Sequence, residues 1–499
     1  MKKIFWTFGI SFLVFGIQAQ TQYSAYSAIG KGVATSFVRD YQSLGVNSSA
    51  LGWGTGFDGK NTVMGTSEFA FGVSSPELNK EKLENFTRAV YNQIRDRENS
   101  AFDFETQKQA AIDYANAGIQ MSLDYNWFGA SYFNNKIGGL ALSVREHYNW
   151  FSQLNETTTD LIFRGRTANY FDSLKIAING DTSMIANSQN LSSDTLAAVL
   201  YGSRNNPLAL SQITNGSKIK FSWNREYNFG WGRKIIGSDS TFALYGGIGG
   251  RFIQSMALFD LESNDDGFSL ATSISPFYDI NYGPIQNTNP NALNENSSLL
   301  PSIVGNGYGI DLSASAVLFG KIRIATAVNN IGKVTYTRNV YSQNDTLLDR
   351  MTVQGLTDFN VSESMNQLVE EGGLLSLVTE EDVVVVNPAT FRLGGSMEMV
   401  KDIVNVGFDF VAPFDKEAPG SLQNAVFSVG GDIRPLKWLQ LNIGYLGGGA
   451  YQHNIPIGVN FILGDGAYEI GIASRDALSF FLDNAHSIST AFGFARLRF

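Results

Sequence analysis

The amino-acid sequence predicts an all-β protein, a transmembrane antiparallel β-barrel of about fourteen strands. Three observations lead to this fold class. The chain begins with residues typical of an export signal. Apolar and polar residues then alternate in many separate segments of roughly ten residues, the length that a membrane-spanning strand needs. The links between these segments are either very short or very long, as in barrels with short periplasmic turns and long external loops.

Residues 1–19 are predicted to be a secretory signal peptide. Two lysines give a positive start, an apolar run of 14 residues follows from Ile4 to Ile17, and Ala19 is a small residue suited to cleavage. The run is too short for a membrane-spanning helix, and a buried N-terminal helix is the alternative interpretation. Losing the two lysines changes the net charge from −10 to −12, so we expect an exported, acidic mature chain that starts at Gln20.

The composition excludes several classes of function. A net charge of −10 leaves no basic face for nucleic-acid phosphates, so no nucleic-acid partner is expected. The chain has no cysteine and only three scattered histidines, His147, His453 and His486, so no metal site or cofactor is expected. The one local catalytic candidate is His147 with Ser143 or Ser152, and a solvated strand residue is the simpler interpretation. We therefore expect no catalytic residues and no enzyme.

The barrel interpretation rests on repetition of one pattern. In residues 308–318, Ile310 and Leu312 lie on one face of a strand, and Asp311 and Ser313 lie on the other. A soluble β-sandwich also alternates in this way, and it is the better explanation for any single strand. Here the polar face repeatedly carries full charges while the other face carries large aliphatic and aromatic side chains. A barrel with lipid outside and a wet lumen explains both faces.

The strands and loops can be placed by following the short links backwards from the chain end. The barrel is predicted over residues 61–499, with strands at 61–74, 118–132, 137–151, 217–235, 241–260, 308–318, 321–331, 389–400, 403–413, 423–433, 437–446, 454–463, 466–475 and 488–499. Long external loops are predicted at 75–117, 152–216, 261–307 and 332–388, with helices at 75–93, 191–202 and 360–373. The alternating run 268–280 does not fit the strand parity, so we place it in a loop, as a hairpin above the membrane.

Residues 20–60 precede the first predicted strand and do not alternate. The segment is too short to be an independent domain. It is rich in small residues but also carries Tyr23, Phe37, Leu51 and Trp53, which would be costly to leave solvated. We predict that it fills the lumen as a plug, and a loose N-terminal arm is the alternative.

Three stretches carry a family resemblance: "ATSFVRDYQSLGVNSSALGW", "GIDLSASAVLFGKIRIATAVNNIG" and "AYEIGIASRDALSFF". With them, the chain resembles the FadL-like outer-membrane transporters and, more narrowly, uncharacterised outer-membrane barrels of Bacteroidetes. The resemblance implies a plugged barrel that takes up small hydrophobic compounds and releases them sideways into the membrane. It places the plug's characteristic patch at Asn47, Ser48, Ala50, Leu51 and Trp53. The Asn-Pro-Ala found in many of these plugs is here Asn47-Ser48-Ser49-Ala50, without the proline.

The resemblance also leaves a second function open. Some relatives are non-transporting partner subunits of protein-secretion machinery, including type IX secretion. The expected partners are therefore the lipid bilayer and the barrel-assembly machinery, with either a hydrophobic small molecule or another outer-membrane protein. The expected location is the outer membrane of a Gram-negative bacterium.

The predicted lumen face holds equal numbers of acidic and basic side chains. The acidic ones are Asp124, Asp311, Glu398, Asp409, Asp432 and Glu469, and the basic ones are Arg323, Arg392, Arg434, Arg475, Arg496 and Arg498. An ion-selective pore would favour one sign. Because partly buried charges need partners, the balance predicts a network that braces the wall and holds a plug.

The chain ends on the alternating stretch "AFGFARLRF". We predict a closing strand with Ala495, Leu497 and Phe499 facing lipid, and with Arg496 and Arg498 facing the lumen. The terminal Phe499 matches the signal that the resemblance associates with recognition by the barrel-assembly machinery.

Overall fold

The computed structural model describes residues 25–75, 77–84, 103–188, 191–265, 267–293, 300–356, 369, 373–448, 451–482 and 485–499. The predicted signal peptide 1–19 and the first residues of the predicted plug, 20–24, lie outside these ranges. The predicted helix 360–373 also lies outside them except at Val369 and Gly373, and the predicted helix 75–93 is described only up to Glu84.

In the described part of the chain, fourteen antiparallel strands form a closed barrel. They are β1 Thr62–Ser74, β2 Ile119–Asn134, β3 Gly138–Gln153, β4 Lys218–Ser238, β5 Phe242–Asn264, β6 Gly305–Leu318, β7 Ile322–Tyr336, β8 Thr390–Val400, β9 Val404–Pro413, β10 Val426–Leu436, β11 Leu439–Gly448, β12 Ile457–Leu463, β13 Tyr468–Ser474 and β14 Ser487–Arg498. Each strand pairs with the next along the chain, and β14 returns to pair with β1. The predicted all-β class, the antiparallel barrel and the strand number are confirmed.

The two faces of the wall differ as the alternation predicts. Large apolar side chains point outward and stay exposed, as at Leu312 (50%) and Ile443 (62%). Their neighbours Asp311 and Asn442 point inward and are buried. A period of two therefore separates an apolar outer surface from a polar lumen along each strand.

The two ends of the barrel are unlike. At one end short turns join the strands, such as Phe319–Lys321 between β6 and β7 and Lys401–Ile403 between β8 and β9. Phe319 and Gly320 both have positive φ, at 55° and 68°, which a tight turn between paired strands requires. We call this the short-turn end, and the opposite end, which carries the long segments, the loop end.

The wall is much taller on one side than on the other. Strands β4 and β5 have 21 and 23 residues, whereas β12 and β13 have 7 each. A membrane-spanning strand needs roughly 9–11 residues, so β4 and β5 are about twice that length, and their extra residues lie at the loop end. The upper part of β5 pairs with Gly267–Ile274. The predicted hairpin in run 268–280 is therefore confirmed as far as Ile274, and a single turn at Pro276–Tyr278 follows it.

A second layer covers the outer face of these extensions. In the described part of this layer, four strands form a separate sheet in the order Leu347–Met351, Val199–Ala209, Ser173–Ile178 and Asp181–Ala186. The helices are Phe104–Tyr114, Glu156–Arg164, Ser193–Ala197 and Leu210–Ile213. Apolar residues of this layer, among them Leu161 and Phe171, join one buried cluster with Trp223 and Phe259 of the barrel strands.

One predicted helix is partly wrong. Residues 191–202 were expected to be helical, but only Ser193–Ala197 are, and a strand begins at Val199. This strand pairs with Ser173–Ile178 and with Leu347–Met351. Hydrogen bonding to two neighbouring strands overrides the local helical pattern there. Across the ranges described, no helix combines the length and the apolar character needed to cross a bilayer.

Four short strands complete the sheet beside the barrel. They are Val340–Ser342, Val378–Thr379, Val383–Val386 and Tyr451–Asn454. Val383–Val386 pairs with the upper end of β7, and Tyr451–Asn454 with that of β11. They therefore raise the wall at the loop end.

Candidate functional site

Residues 25–60, which we call the inner segment, pack against the inward face of the barrel wall. The segment contains a short helix, Tyr26–Ile29, and tight turns at Asp40–Ser43 and Ser48–Trp53. A Cβ atom at Gly65 of β1 would overlap the Tyr41 hydroxyl. The same close approach to the segment occurs at wall glycines on many strands: Gly129, Gly139, Gly230, Gly232, Gly247, Gly430, Gly444, Gly471 and Gly493.

These glycines let the segment's own backbone reach the wall. The carbonyl oxygen of Lys31 occupies the space that side chains at Gly430 and Gly444 would fill, and that of Ser48 does so at Gly232. A strand glycine normally weakens a sheet because it has no side chain to pack. Here its smallness allows contact between two pieces of backbone, so the wall is shaped around the segment.

The turn Ser48–Trp53 holds the predicted plug patch. Asn47 caps it, since Asn47 Oδ1 accepts hydrogen bonds from Ser49 N (3.2 Å) and Ser49 Oγ (2.6 Å), while its Nδ2 donates to Thr35 O (2.8 Å). Trp53 Nε1 donates to Ser315 Oγ in β6 (3.1 Å). Four of the five predicted residues are buried, namely Asn47, Ser48, Ala50 and Leu51, and Trp53 is partly exposed. The missing proline is thus replaced by a turn capped through Asn47.

Two predicted lumen carboxylates bind the inner segment directly. Lys31 Nζ donates to Asp432 Oδ2 (2.6 Å), and Asn405 Nδ2 donates to the other oxygen of Asp432 (3.1 Å). Asp409 Oδ2 accepts from Ala34 N (2.7 Å), Thr35 N (2.9 Å) and Thr35 Oγ1 (3.1 Å). These contacts fix the first half of the segment against β9 and β10.

A second ionic group joins the segment to the closing strand. Arg496 pairs with Asp40 of the inner segment and with Glu469 of β13, the latter at 3.3 Å. Arg498 also pairs with Glu469. All four side chains are buried, and because two guanidinium groups meet two carboxylates, the group is electrically neutral.

A third group of charged side chains runs across β2 to β6. Arg251 donates to Glu226 Oε2 (3.1 Å) and to both oxygens of Asp311 (2.9 and 3.0 Å). His147 lies beside it, with its Nε2 3.5 Å from Glu226 Oε2 and its Nδ1 3.7 Å from Asp124 Oδ1. Ser152 does not pair with His147 as a catalytic nucleophile would. It lies on the opposite face of β3, where its Oγ accepts a hydrogen bond from Trp150 Nε1. His147 therefore belongs to an ionic row.

Glu68 of β1 is held by hydrogen bonds rather than by a cation. Its Oε1 accepts from Tyr41 Oη (2.6 Å) and Gln42 Nε2 (2.7 Å), and its Oε2 accepts from Asn126 Nδ2 (3.2 Å). Burial raises the pKa of Tyr41 well above its usual value, and the Glu68 carboxylate raises it further. The phenol therefore stays protonated and remains a donor to Glu68.

The other predicted lumen charges lie near the segment in different ways. Glu398 Oε1 accepts from the backbone N of Asp402 in a turn (2.8 Å). The Arg323 guanidinium lies over the Trp53 ring, 5.5 Å from its centroid, and that of Arg434 lies over the Phe57 ring at 5.9 Å. The remaining two, Arg392 and Arg475, line a cavity described below.

Several partners in these groups were not predicted. Glu226 and Arg251 lie on inward positions of β4 and β5, so the alternation used for the other strands would have found them. Lys31, Asp40 and Glu68 give a weaker signal. The first two lie in a segment without periodicity, and Glu68 follows Ser67, whose φ of 56° interrupts the alternation of β1.

A small cavity lies between the inner segment and the wall. Its volume is about 70 Å³. Val33 and Val46 line it on the segment side, and Val411, Leu422, Val426 and Leu446 line it on the wall side. Arg392, Asp409 and Arg475 supply its polar edge. In the ranges that can be described, no three His, Asp or Glu side chains are grouped to hold a metal ion.

Fold and site together define a closed antiparallel barrel that encloses its own N-terminal segment. The family model described as "Family of unknown function (DUF5723)" matches residues 158–465, more than half of the chain. The protein therefore belongs to this family. No curated protein matches the sequence.

Solved structures of hydrocarbon channels are similar to the chain over nearly its whole length. The Ralstonia pickettii toluene transporter TbuX has 12% identity and a TM-score of 0.43, covering 97% of this chain and 100% of its own. The TodX deltaS2S3 mutant monoaromatic hydrocarbon channel has 10% sequence identity and a TM-score of 0.41, and the match covers 95% of this chain and 97% of that one. A Pseudomonas aeruginosa FadL homologue has 9% sequence identity and a TM-score of 0.35, and the match covers 97% of this chain and 98% of that one.

Proposed function

We propose that this protein is an outer-membrane barrel of a Gram-negative bacterium that binds and transfers small hydrophobic compounds. The apolar outer face supports the membrane location. Side chains such as Phe229, Ile248 and Ile472 are each more than half exposed and lie among other apolar residues around the wall. A surface of this kind would drive association in water, whereas lipid tails cover it without cost.

The cavity beside the inner segment is the observation that carries the proposed activity. Its walls are mainly apolar, although the wall positions around it carry many polar and charged side chains. Val411, Leu422, Val426 and Leu446 point inward and form a buried apolar cluster. Inward apolar residues have no role in a water-filled pore, but they suit a binding site for an apolar ligand.

We propose that the structure represents a closed state, because the cavity is small. An engineered apolar cavity that binds benzene has a volume of roughly 150 Å³. The volume here is about 70 Å³, so even a small aromatic compound needs the lining to move. The inner segment forms one side of the cavity, and we propose that its residues 25–34 shift when ligand enters.

The short side of the wall, at β13 and β14, suits a lateral exit for ligand. The ladder between β13 and β14 ends at the pair Ala473 and Ala491, although β14 continues to Ser487. Beyond it, Arg475 N is bound by the side chain of Ser489 (2.9 Å). Because Arg475 also lines the cavity, we propose that ligand leaves towards lipid through this short part of the wall.

Filling the cavity tests the proposal. Val426→Phe places a larger side chain in the cavity, and Val429→Phe makes the same change on the outward face of β10, where Val429 is 41% exposed. We expect Val426→Phe to weaken the binding of a fluorescent hydrophobic probe at least about tenfold, and Val429→Phe to leave probe binding unchanged. A folded wild-type barrel that binds no hydrophobic probe would overturn the proposed function.

The tight fit of the inner segment favours a second function. Backbone atoms of the segment meet backbone atoms of wall glycines on several strands, an arrangement suited to a permanently closed barrel. With its second layer at the loop end, such a barrel would serve as a partner subunit or scaffold of an outer-membrane machine. Mild purification from native membranes separates the two functions. A stoichiometric protein partner together with no ligand would favour the scaffold.

A further inference from the structure

Three arginines gather at the short-turn end of the barrel, and in outer-membrane barrels short turns lie in the periplasm. Arg323 follows the turn between β6 and β7, and Arg434 lies near the end of β10. The backbone N of Arg434 donates to Ile403 O in the neighbouring turn (2.8 Å). Arg39 comes from the inner segment. All three side chains are partly exposed, so solutes can reach them.

The inner segment draws these guanidinium groups together. Trp53 lies under Arg323 and Phe57 under Arg434. Between those two positions of the segment, the Arg39 guanidinium lies across Gly56, where a Cβ atom would overlap it. Gly56 also has a φ of 80°, which favours glycine. Glycine at this position thus leaves the space that Arg39 occupies.

The arginine cluster lacks neutralising partners. Among the described residues, Arg39, Arg323 and Arg434 form no ion pair with a carboxylate, and the Arg434 Nε is buried without a hydrogen-bond partner. Burial, together with the nearby Arg323 and Arg434, lowers the pKa of Arg39 to about 9, so its guanidinium group is still charged at neutral pH.

Other charged side chains lie near the arginine cluster, and most of them are already paired. Arg496 and Arg498 are neutralised by Asp40 and Glu469, and Lys234 pairs with Asp239 at 3.0 Å. Glu398 is the carboxylate that acts electrostatically on both Arg39 and Arg323. The three guanidinium groups and Glu398 together carry a charge of +2, in a protein whose net charge is −10.

We propose that Arg39, Arg323 and Arg434 form a binding site for one phosphate-type oxyanion at the mouth of the barrel. Guanidinium groups bind phosphate through paired hydrogen bonds. A phosphate group carries a charge of roughly −1.5 to −2 at neutral pH, which matches the excess at the mouth better than one carboxylate would. The phosphate comes either from a free ion or from the headgroup of a lipid in the adjoining leaflet.

Phosphate binding by the purified full-length barrel tests the site. Inorganic phosphate is titrated by calorimetry in a zwitterionic detergent, and we expect one ion bound per chain. Arg39→Gln and Arg434→Gln should each weaken binding about tenfold, as expected for loss of a charge-assisted hydrogen bond. The matched control is Arg233→Gln, an exposed arginine at the same end that lies over the Trp231 ring, and it should leave binding unchanged.

A second titration separates the two sources. Short-chain phosphatidic acid presents the same phosphate on a lipid, so tighter binding than that of inorganic phosphate points to a headgroup, and equal binding points to a free ion. Folding of each variant is checked by its heat-modifiable mobility on a gel, and Arg323→Gln replaces Arg39→Gln should the latter fail to assemble. The proposal is overturned if neither compound binds the wild type, or if Arg233→Gln weakens binding as much as Arg434→Gln. Hydrophobic-probe binding is unaffected by either outcome, so the proposed function stands or falls separately.

Discussion

Replacing Lys31 by methionine should loosen the inner segment from the wall. Lys31 Nζ lies 2.6 Å from Asp432 Oδ2, and the two side chains are 5% and 2% exposed. Methionine keeps much of the length and removes the charge. Asp432 would then retain the hydrogen bond from Asn405 (3.1 Å) but lose its cation.

The expected cost follows from the burial of the pair. Removing one member of a buried ion pair destabilises a protein by about 3–5 kcal/mol, because the other charge is left without a partner. Since Asn405 remains, we expect the lower end, about 3 kcal/mol, which is more than a hundredfold in an equilibrium constant. The substitution should lower the free energy needed to release the inner segment, while the hydrogen-bonded wall stays closed.

Amide hydrogen exchange measures this release. Peptides covering residues 25–47 should exchange about a hundredfold faster in Lys31→Met, while peptides from β2 and β3 stay protected. The control is Lys82→Met, which breaks an external pair with Asp113 at 2.7 Å whose side chains are 39% and 26% exposed. Such a pair contributes about 0–1 kcal/mol. Equal exchange in both variants would refute the claim that the buried pair holds the segment.

Two further changes have clear expected outcomes. Gly65→Ala places a Cβ on the Tyr41 hydroxyl and should lower stability by about 1–3 kcal/mol in thermal unfolding. Gly250→Ala, whose nearest atom would be 4.0 Å away, should change it little, and equal losses would contradict the fitted contact. Deleting Phe499 should reduce the amount of folded barrel in the membrane fraction, since this residue is 60% exposed and its backbone N donates to Thr62 O (2.9 Å). Normal membrane levels of the deletion would contradict a role in assembly.

The barrel could be predicted from sequence because one physical rule acts on every strand. Lipid on one face and a polar lumen on the other impose a period of two. All fourteen predicted strands correspond to observed ones, with ends that differ by a few residues. The hairpin after β5 could also be predicted. Residues 268–280 alternate like a strand, but an extra membrane-crossing strand would not fit the up-and-down order of the barrel.

Contacts of the inner segment could not be predicted in the same way. Lys31 and Asp40 lie in a stretch without periodicity, so nothing local states which strand each one meets. Of the predicted charges, Glu469, Arg496 and Arg498 meet one another, whereas Asp311 and Asp432 have partners outside the predicted set. The helix predicted at 191–202 failed for a related reason, since the strand at Val199 depends on partners distant in sequence.

The contacts of the inner segment join opposite ends of the chain. Lys31 and Asp432 are 401 positions apart, and Asp40 and Arg496 are 456 apart. Arg496 belongs to the strand that closes the barrel, so the socket for Asp40 does not exist until the last strand is in place. Such distant contacts form late, because the intervening chain must be ordered first. We infer that the inner segment, although it precedes every barrel strand in the chain, is seated only after the last strand has closed the wall.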